Sequence, residues 1–138
     1  MAITAARRYE TVGPCVQLTL ATAGNDTYYK GQLIAADDNG YAADPSDAST
    51  AVPMGVYTGH QGQAFEVASG DHDEIAVETG LIWYPFSGAA QSDVGEVFYM
   101  SDNGTLTQTA GSKVWGLLCK GFKSGYVLID FRNPVKMA

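Results

Sequence analysis

Hydrophobic and polar positions alternate with a period of two in several short segments of this chain. Residues 16–21 read Val-Gln-Leu-Thr-Leu-Ala, and residues 74–78 read Glu-Ile-Ala-Val-Glu. This spacing predicts half-buried β-strands, because successive side chains of a strand point to opposite faces of its sheet. Two more strands are predicted at 96–100 and 125–131, which are rich in β-branched and aromatic residues.

Turn-forming residues separate these predicted strands at short intervals. Asn-Gly pairs at 39–40 and 103–104 each lie between strand-like segments, a setting that favours a hairpin. Residues 44–48 alone are typical of a helical turn, because an Asp can cap it and a Pro can occupy its first position. The sequence therefore predicts an all-β protein, a small single-domain β-sandwich or β-barrel with short hairpins and at most one or two short helical turns.

Two segments, 31–40 and 95–104, resemble each other at a constant offset of 64 residues. Each begins with Gly and ends with Asp-Asn-Gly, and each is followed by an apolar-Gly-apolar-apolar stretch, at 54–57 and at 115–118. Both copies read as a strand, a turn, a variable return and a strand. A duplicated unit, which would form one pseudo-symmetric domain, and a coincidence between two ordinary hairpins both explain this pattern.

The chain has 138 residues, a length that fits one domain. Residues 1–13 show no strand or helix pattern, so we predict a flexible N-terminal arm, followed by a β-domain at 14–133 and a C-terminal tail at 134–138. The longest apolar run, 81–86, is too short to cross a bilayer, and the arm lacks the apolar core of a secretory signal. We therefore expect no membrane partner.

Charge is distributed unevenly along the chain, whose net charge is −7. No Lys or Arg occurs between Lys30 and Lys113, a stretch that holds twelve of the fifteen acidic residues. Because such a stretch repels a phosphate backbone, we expect no nucleic-acid partner. A solvated acidic face and a polar molecule whose basic ends meet an acidic partner remain open interpretations.

Candidate catalytic chemistry is sparse in the sequence. Residues 71–74 gather Asp, His and Glu side chains, but they lack a calcium-loop pattern and lie where a loop joins two strands, which favours a solvated turn. His60 is isolated, and Cys15 and Cys119 lie in apolar stretches typical of free buried thiols, although the sequence leaves a bridge between them open. We expect no catalytic residue, metal or cofactor, and so a protein that is not an enzyme.

Aromatic residues offer a binding function instead. If exposed, they would form a platform for sugars, and if buried they would form the core. The residues concerned are Tyr57, Trp83, Tyr84, Phe86 and Trp115. They support an alternative function, that of a carbohydrate- or host-surface-binding β module.

A series of short motifs runs through the second half of the chain. A strand-like segment at 75–81 contains a late Gly and precedes Gly-Glu-Val-Phe-Tyr at 95–99, an acidic Asn-Gly turn at 102–104, a Thr-rich strand and an apolar-Gly-apolar return at 115–117. The first half fits the same pattern more loosely. These motifs resemble those of the small capsid decoration, or cement, proteins of tailed-phage heads.

The resemblance implies a protein on the outer surface of the virion capsid. Under the carbohydrate- or host-surface-binding alternative, the module would belong to a phage fibre or tail. A decoration protein would bind the expanded head and stabilise it against internal DNA pressure, with the major capsid protein and further copies of itself, as a homotrimer, for partners. Four residues of the predicted arm are the expected capsid contacts: Ile3, Arg7, Arg8 and Tyr9. We expect the arm to become ordered on the shell by adding a strand, with both arginines facing carboxylates.

Overall fold

The structure is a computed structural model that describes residues 2–23, 26–47, 49–59, 66–68 and 73–137. The predicted all-β class is confirmed, since one curled antiparallel sheet forms a half-barrel and a separate pair of short strands completes the described part of the fold. Two single 3-10 turns, Pro45–Asp47 and Gln91–Asp93, are the helical elements of the described residues. None of the described helices is long and apolar enough to cross a membrane.

Twelve strands are present among the described residues. In chain order they are β1 (Glu10–Ala21), β2 (Tyr28–Tyr29), β3 (Leu33–Ala36), β4 (Ala42–Ala43), β5 (Val52–Tyr57), β6 (Glu66–Val67), β7 (Glu74–Pro85), β8 (Val97–Asp102), β9 (Thr105–Thr107), β10 (Trp115–Lys123), β11 (Tyr126–Asp130) and β12 (Val135–Lys136). The order in the large sheet is β4-β3-β5-β7-β11-β10-β8-β9, with β1 on β7 and β12 on β10.

The four predicted strands are present, but two elements extend beyond the predicted limits. β1 begins at Glu10, within the predicted arm, and residues 10–12 pair with residues 81–83 of β7. β12 lies within the predicted tail and pairs with Trp115 and Gly116. β1 therefore crosses the predicted limit at 13 and β12 lies beyond the limit at 133, and the division into arm, domain and tail stays a prediction.

β7 is paired along both of its edges. Residues 77–78 pair with β1 and with β5, while residues 81–83 pair with β1 and with β11. Because β1 follows one edge of β7, β5 and β11 must share the opposite edge in succession. β1 is therefore an outer strand, and among the described strands it pairs with β7 alone.

Both predicted Asn-Gly hairpins are confirmed. The turn between β3 and β4 is held by the Asp37 carboxylate, which accepts the backbone N–H groups of Asn39 and Tyr41 at 2.9 Å, and Gly40 adopts a positive φ of 83°. The turn between β8 and β9 is tighter, and the Gly104 N–H donates to the carboxylate of the preceding Asp. Gly104 does not take the positive φ that a type I′ turn requires, so this hairpin uses another turn geometry.

The sheet order supports the internal repeat. β3 pairs with β4 and β5 at one end, and β8 pairs with β9 and β10 at the other, as two copies of one unit would. Gly55 and Gly116 occupy matching positions, and an added Cβ would collide with the Glu78 carbonyl at the first and with the Val97 side chain at the second. The two strand pairs differ by one residue in register. Gly55 pairs with Ile34, whereas Leu117, the residue after Gly116, pairs with Phe98, which corresponds to Ile34 at the offset of 64 residues.

Two hydrophobic clusters stabilise the sheet on opposite faces of β3, β5 and β7. The larger cluster draws on seven strands and includes Leu33, Val56, Ile82, Tyr84, Phe98 and Ile129. The smaller one consists of Tyr28, Ile34, Ala42, Tyr57, Ile75 and Val77, with Leu20 and Met54 packed against it. Neighbouring residues such as Leu33 and Ile34 enter different clusters, because successive side chains of a strand alternate between faces.

Candidate functional site

The N-terminal segment, residues 2–9, lies against the turn between β8 and β9. The Ile3 N–H donates to Asn103 Oδ1 at 2.8 Å, and Asn103 Nδ2 donates to the Ile3 carbonyl at 3.1 Å. Ile3 is 9% exposed and Asn103 is 6% exposed. One side-chain amide therefore satisfies both polar groups of a buried residue, which would otherwise destabilise the docked segment.

Arg7 joins this segment to two other parts of the chain. Its Nη1 donates to the Gly104 carbonyl at 2.6 Å and to the Tyr84 hydroxyl at 3.4 Å, and its backbone N–H donates to the Lys30 carbonyl at 2.7 Å. The guanidinium also lies 5.6 Å from the centroid of the Tyr84 ring, within cation–π distance. The Tyr84 hydroxyl donates to the Gly31 carbonyl at 2.6 Å, and burial raises the pKa of Tyr84 to about 12.

Tyr9 and Arg8 lie at the end of the segment. The Tyr9 hydroxyl donates to Glu78 Oε1 at 2.8 Å, and burial, followed by this carboxylate, raises the pKa of Tyr9 above its ordinary value. Arg8 is exposed. Arg8 and Tyr9 border a cleft of about 220 Å³ together with Glu10 and Tyr126.

A second cleft, of about 350 Å³, lies next to the first. Its lining includes Arg7, Phe86, Leu106 and Gly125. The clefts are neighbours because Gly125 and Tyr126, which are adjacent in sequence, line one each. We call the surface formed by Arg7, Arg8, Phe86, Gly125 and Tyr126 the N-terminal corner.

The structure separates the four predicted capsid contacts into two groups. Ile3 is buried, and Arg7 is half-buried and bonded within the chain, whereas Arg8 and Tyr9 border an open cleft. Contact with a capsid and mobility of residues 1–13 in the free protein stay predictions. The docking of Ile3 on Asn103 was not predicted from the sequence, because no local pattern links residues 100 positions apart.

An apolar groove beside β1 was also missed. The groove has a volume of about 410 Å³ and is lined by Val16, Leu18, Val52, Pro53, Met54, Thr79, Phe131, Arg132 and Pro134. The alternation of residues 16–21 predicts a half-buried strand, yet Val16 is 59% exposed. Alternation identifies the apolar face of a strand, but it does not reveal that the strand lies at the edge of its sheet.

The five aromatic residues do not form a single platform. Tyr57 and Tyr84 are fully buried in different clusters, and the ring of Phe86 packs edge-on against Phe98 at 4.9 Å. Trp83 is half-buried, and the Lys123 ammonium lies over its ring at 4.8 Å from the centroid. A sugar would have to displace this lysine, which also pairs with Glu10 at 3.0 Å, to stack on the indole.

Only some of the remaining candidate catalytic or metal-binding residues lie within the described part of the chain. Cys15 is half-buried and Cys119 buried, both are free thiols, and burial raises the pKa of each. His60 and residues 69–72, including the predicted Asp-His turn, lie outside the described residues. Within the described part of the chain, no cluster of three or more His, Cys, Asp or Glu side chains is arranged to hold a metal ion.

Comparison of the chain with protein-family models, with curated proteins and with solved structures finds no match. The chain's own residues are therefore the basis for a functional proposal.

Proposed function

We propose that this protein is a tailed-phage capsid decoration protein, which binds the outside of the expanded head and stabilises it against internal DNA pressure. The major capsid protein is the proposed partner, and the N-terminal corner is the proposed contact surface. The observation that carries the proposal is the position of Arg7 and Arg8 at two adjacent clefts on a chain with a net charge of −7.

The charge distribution would orient the protein on an acidic shell. Such a shell attracts the two arginines of the corner and repels exposed carboxylates elsewhere on the chain, such as those of Asp38 and Glu74. Phe86 and Tyr126 are each half-buried and provide aromatic area beside the arginines. Arginine and aromatic side chains are enriched at the centres of protein interfaces.

The order of the sequence motifs that carry the resemblance also supports the proposal. The 95–99 motif leads into β8, the 102–104 motif is the hairpin turn, and the apolar-Gly-apolar motif begins β10. The 75–81 segment matches less simply, because it forms only part of β7, which continues through Gly80 to Pro85.

Binding to a lattice of identical sites would strengthen a modest individual contact. A surface of two arginines and two aromatic rings is small, but copies that are linked or adjacent on a shell raise each other's effective concentration. Stabilisation of the head would then follow from mass action, because a protein that binds only the assembled shell favours that state.

The test is co-sedimentation with expanded, undecorated shells of the cognate phage. We expect the wild-type protein to sediment with the shells and Arg8→Glu to weaken binding by about tenfold, which corresponds to about 1.4 kcal/mol. Lys136→Glu is the matched control, since it makes the same charge change at an exposed residue of β12 outside the lining of both clefts. The difference should shrink at high salt.

Two results would contradict the proposal. Failure of the wild-type protein to bind cognate shells removes the decoration function, and a shift of tryptophan fluorescence on adding glycans would then favour the carbohydrate-binding alternative. Equal weakening by Arg8→Glu and Lys136→Glu would remove the N-terminal corner as the contact surface.

A further inference from the structure

The Arg7 guanidinium is a half-buried cation that the described part of the chain does not neutralise. Its Nη1 donates to two uncharged acceptors, the Gly104 carbonyl and the Tyr84 hydroxyl. No described carboxylate forms an ion pair with Arg7, and no described group accepts from its Nε or Nη2. The carboxylate of Asp102, in the same hairpin turn, accepts the Gly104 N–H at 2.9 Å. Arg7 thus keeps donors without a partner among the described residues.

The cleft that Arg7 lines combines this charge with an apolar wall. Its volume of about 350 Å³ lies at the lower end of the range of ligand-binding clefts. Pro85 and Phe86 are half-buried, Leu106 belongs to the larger hydrophobic cluster, and Ser87 is an exposed part of the lining. A ligand that satisfies this cleft carries an anionic group for the guanidinium and an apolar group for the wall.

The neighbouring cleft offers a second cation. Arg8 lines it, is exposed, and forms no ion pair with the described residues. The carboxylate of Glu10 in this lining is already paired with the Lys123 ammonium at 3.0 Å. The two adjacent clefts therefore each present an arginine whose charge is not matched by a carboxylate of the described chain.

From this arrangement we infer that the N-terminal corner binds an acidic peptide segment. One side-chain carboxylate of the segment pairs with Arg7, a neighbouring apolar side chain packs on Phe86, and a second carboxylate lies near Arg8. A carboxylate matches the planar donor fork of a guanidinium and can bind it through two parallel hydrogen bonds. Two clefts with one arginine each suit the side chains of an internal segment, because the end of a chain supplies a single α-carboxylate.

The two arginines then have different roles. Arg7 is half-buried beside an apolar wall, so its pairing with a carboxylate is only weakly screened by salt, whereas the exposed Arg8 attracts the segment mainly at low salt. A nucleic acid does not suit the site, because a chain with a net charge of −7 repels its phosphate backbone.

The N-terminal corner is also the proposed capsid contact, so the identification of the segment with part of the major capsid protein rests on the proposed function. Binding of an acidic peptide by the free protein can be measured without shells. Shells that sediment with the protein while no peptide binds would overturn this inference and leave the decoration function in place. Peptide binding without co-sedimentation would support the peptide site and remove the decoration function.

Titration of the ¹⁵N-labelled full chain with short peptides, followed by NMR, tests the inference. A peptide with the core Asp-Leu-Asp, blocked at both ends, should shift the amide signals of Ser87, Gly104 and Gly125 in a saturable way. The core Asn-Leu-Asn should bind at least about tenfold more weakly because it lacks the carboxylates. The core Asp-Ser-Asp should bind about fivefold more weakly because it lacks the apolar side chain.

Variants at Ser87 place the binding in the Arg7 cleft. Ser87 is exposed and forms no side-chain hydrogen bond with the described residues, so its replacement leaves the contacts of the fold in place. Ser87→Glu should weaken binding of the Asp-Leu-Asp peptide by at least about fivefold through charge repulsion, whereas Ser87→Lys should not weaken it. Ser112→Glu is the matched control, an exposed serine outside the lining of all three clefts, and should bind as the wild type does.

Two further probes separate other sources of the anion. Inorganic phosphate, and an Asn-Leu-Asn peptide with a free C-terminal carboxylate, should each bind more weakly than the blocked Asp-Leu-Asp peptide. Binding of either probe as tight as that of the Asp-Leu-Asp peptide would overturn the inference of an internal acidic segment. Absence of saturable shifts with the Asp-Leu-Asp peptide, or equal effects of Ser87→Glu and Ser112→Glu, would overturn it as well.

Discussion

Replacing Asn103 with alanine tests whether the N-terminal segment is held to the domain in the free protein. The substitution removes the acceptor for the Ile3 N–H at 2.8 Å and the donor to the Ile3 carbonyl at 3.1 Å. The Asn103 carbonyl, which accepts the Leu33 N–H at 2.8 Å, is retained. The change therefore isolates the side-chain clamp from the hairpin that carries it.

The expected loss of stability follows from burial. Two backbone groups of Ile3 lose their partners, and each buried unsatisfied group costs about 1–3 kcal/mol. The segment can avoid the full cost by undocking, so we expect an unfolding free energy lower by about 2 kcal/mol, and a Tm lower by roughly 6–10 °C for a chain of this size. Trypsin should also cleave after Arg7 and Arg8 faster in the variant, because an undocked segment is open to the protease.

Asn39→Ala is the control for Asn103→Ala. Asn39 occupies the same place in the first copy of the repeat, but it is exposed. We expect its replacement to change stability by no more than about 0.5 kcal/mol. If both variants melt together with the wild type and trypsin cuts all three at the same rate, the segment is mobile in the free protein, and docking on Asn103 does not contribute to stability.

Two further predictions concern the sheet and its acid stability. Gly55→Ala should lower the free energy of unfolding by about 2 kcal/mol or more, because Gly55 has a φ of 150° and an added Cβ would meet the Glu78 carbonyl. Gly88→Ala should lower it clearly less in the same denaturation assay, because Gly88 has a positive φ but open space around it. Hydrogen bonds from Arg132 hold the pKa of Asp130 below its ordinary value. Since the folded-state pKa is the lower one, this pair stabilises the fold above about pH 4, and its contribution is lost as the pH falls through the lowered pKa. Asp130→Asn should therefore flatten the acid side of the stability profile, and an unchanged profile would contradict this assignment.

Local patterns predicted the parts of the fold that local physics determines. The alternation at 16–21 and 74–78 placed two strands, and the Asn-Gly pairs placed two hairpins, because strand periodicity and turn conformation depend on neighbouring residues. β7 was not predicted as one strand of twelve residues, since a glycine at position 80 usually interrupts a strand. Here Gly80 is accommodated with a φ of 145°, against the side chain of Cys15 on the neighbouring strand.

Features that depend on contacts between distant residues could not be predicted from the sequence. Trp83 and Tyr84 are neighbours in sequence, but they lie on opposite faces of β7, and Tyr84 is buried in the larger cluster whereas Trp83 is half-buried. Of the predicted contact residues, Arg7 could be named from its charge, but its bond to the Gly104 carbonyl could not.

The two similar segments of the chain differ in their surroundings at the N-terminal corner. The chain's two Asn-Gly hairpins stand at corresponding ends of the sheet, and symmetry alone would give them equal surroundings. The N-terminal segment exists once, and it docks on Asn103 and Gly104 while the turn at Asn39 stays exposed. Residues outside the repeat thus break its symmetry, because they place Arg7 beside the Tyr84 ring and the Gly104 carbonyl.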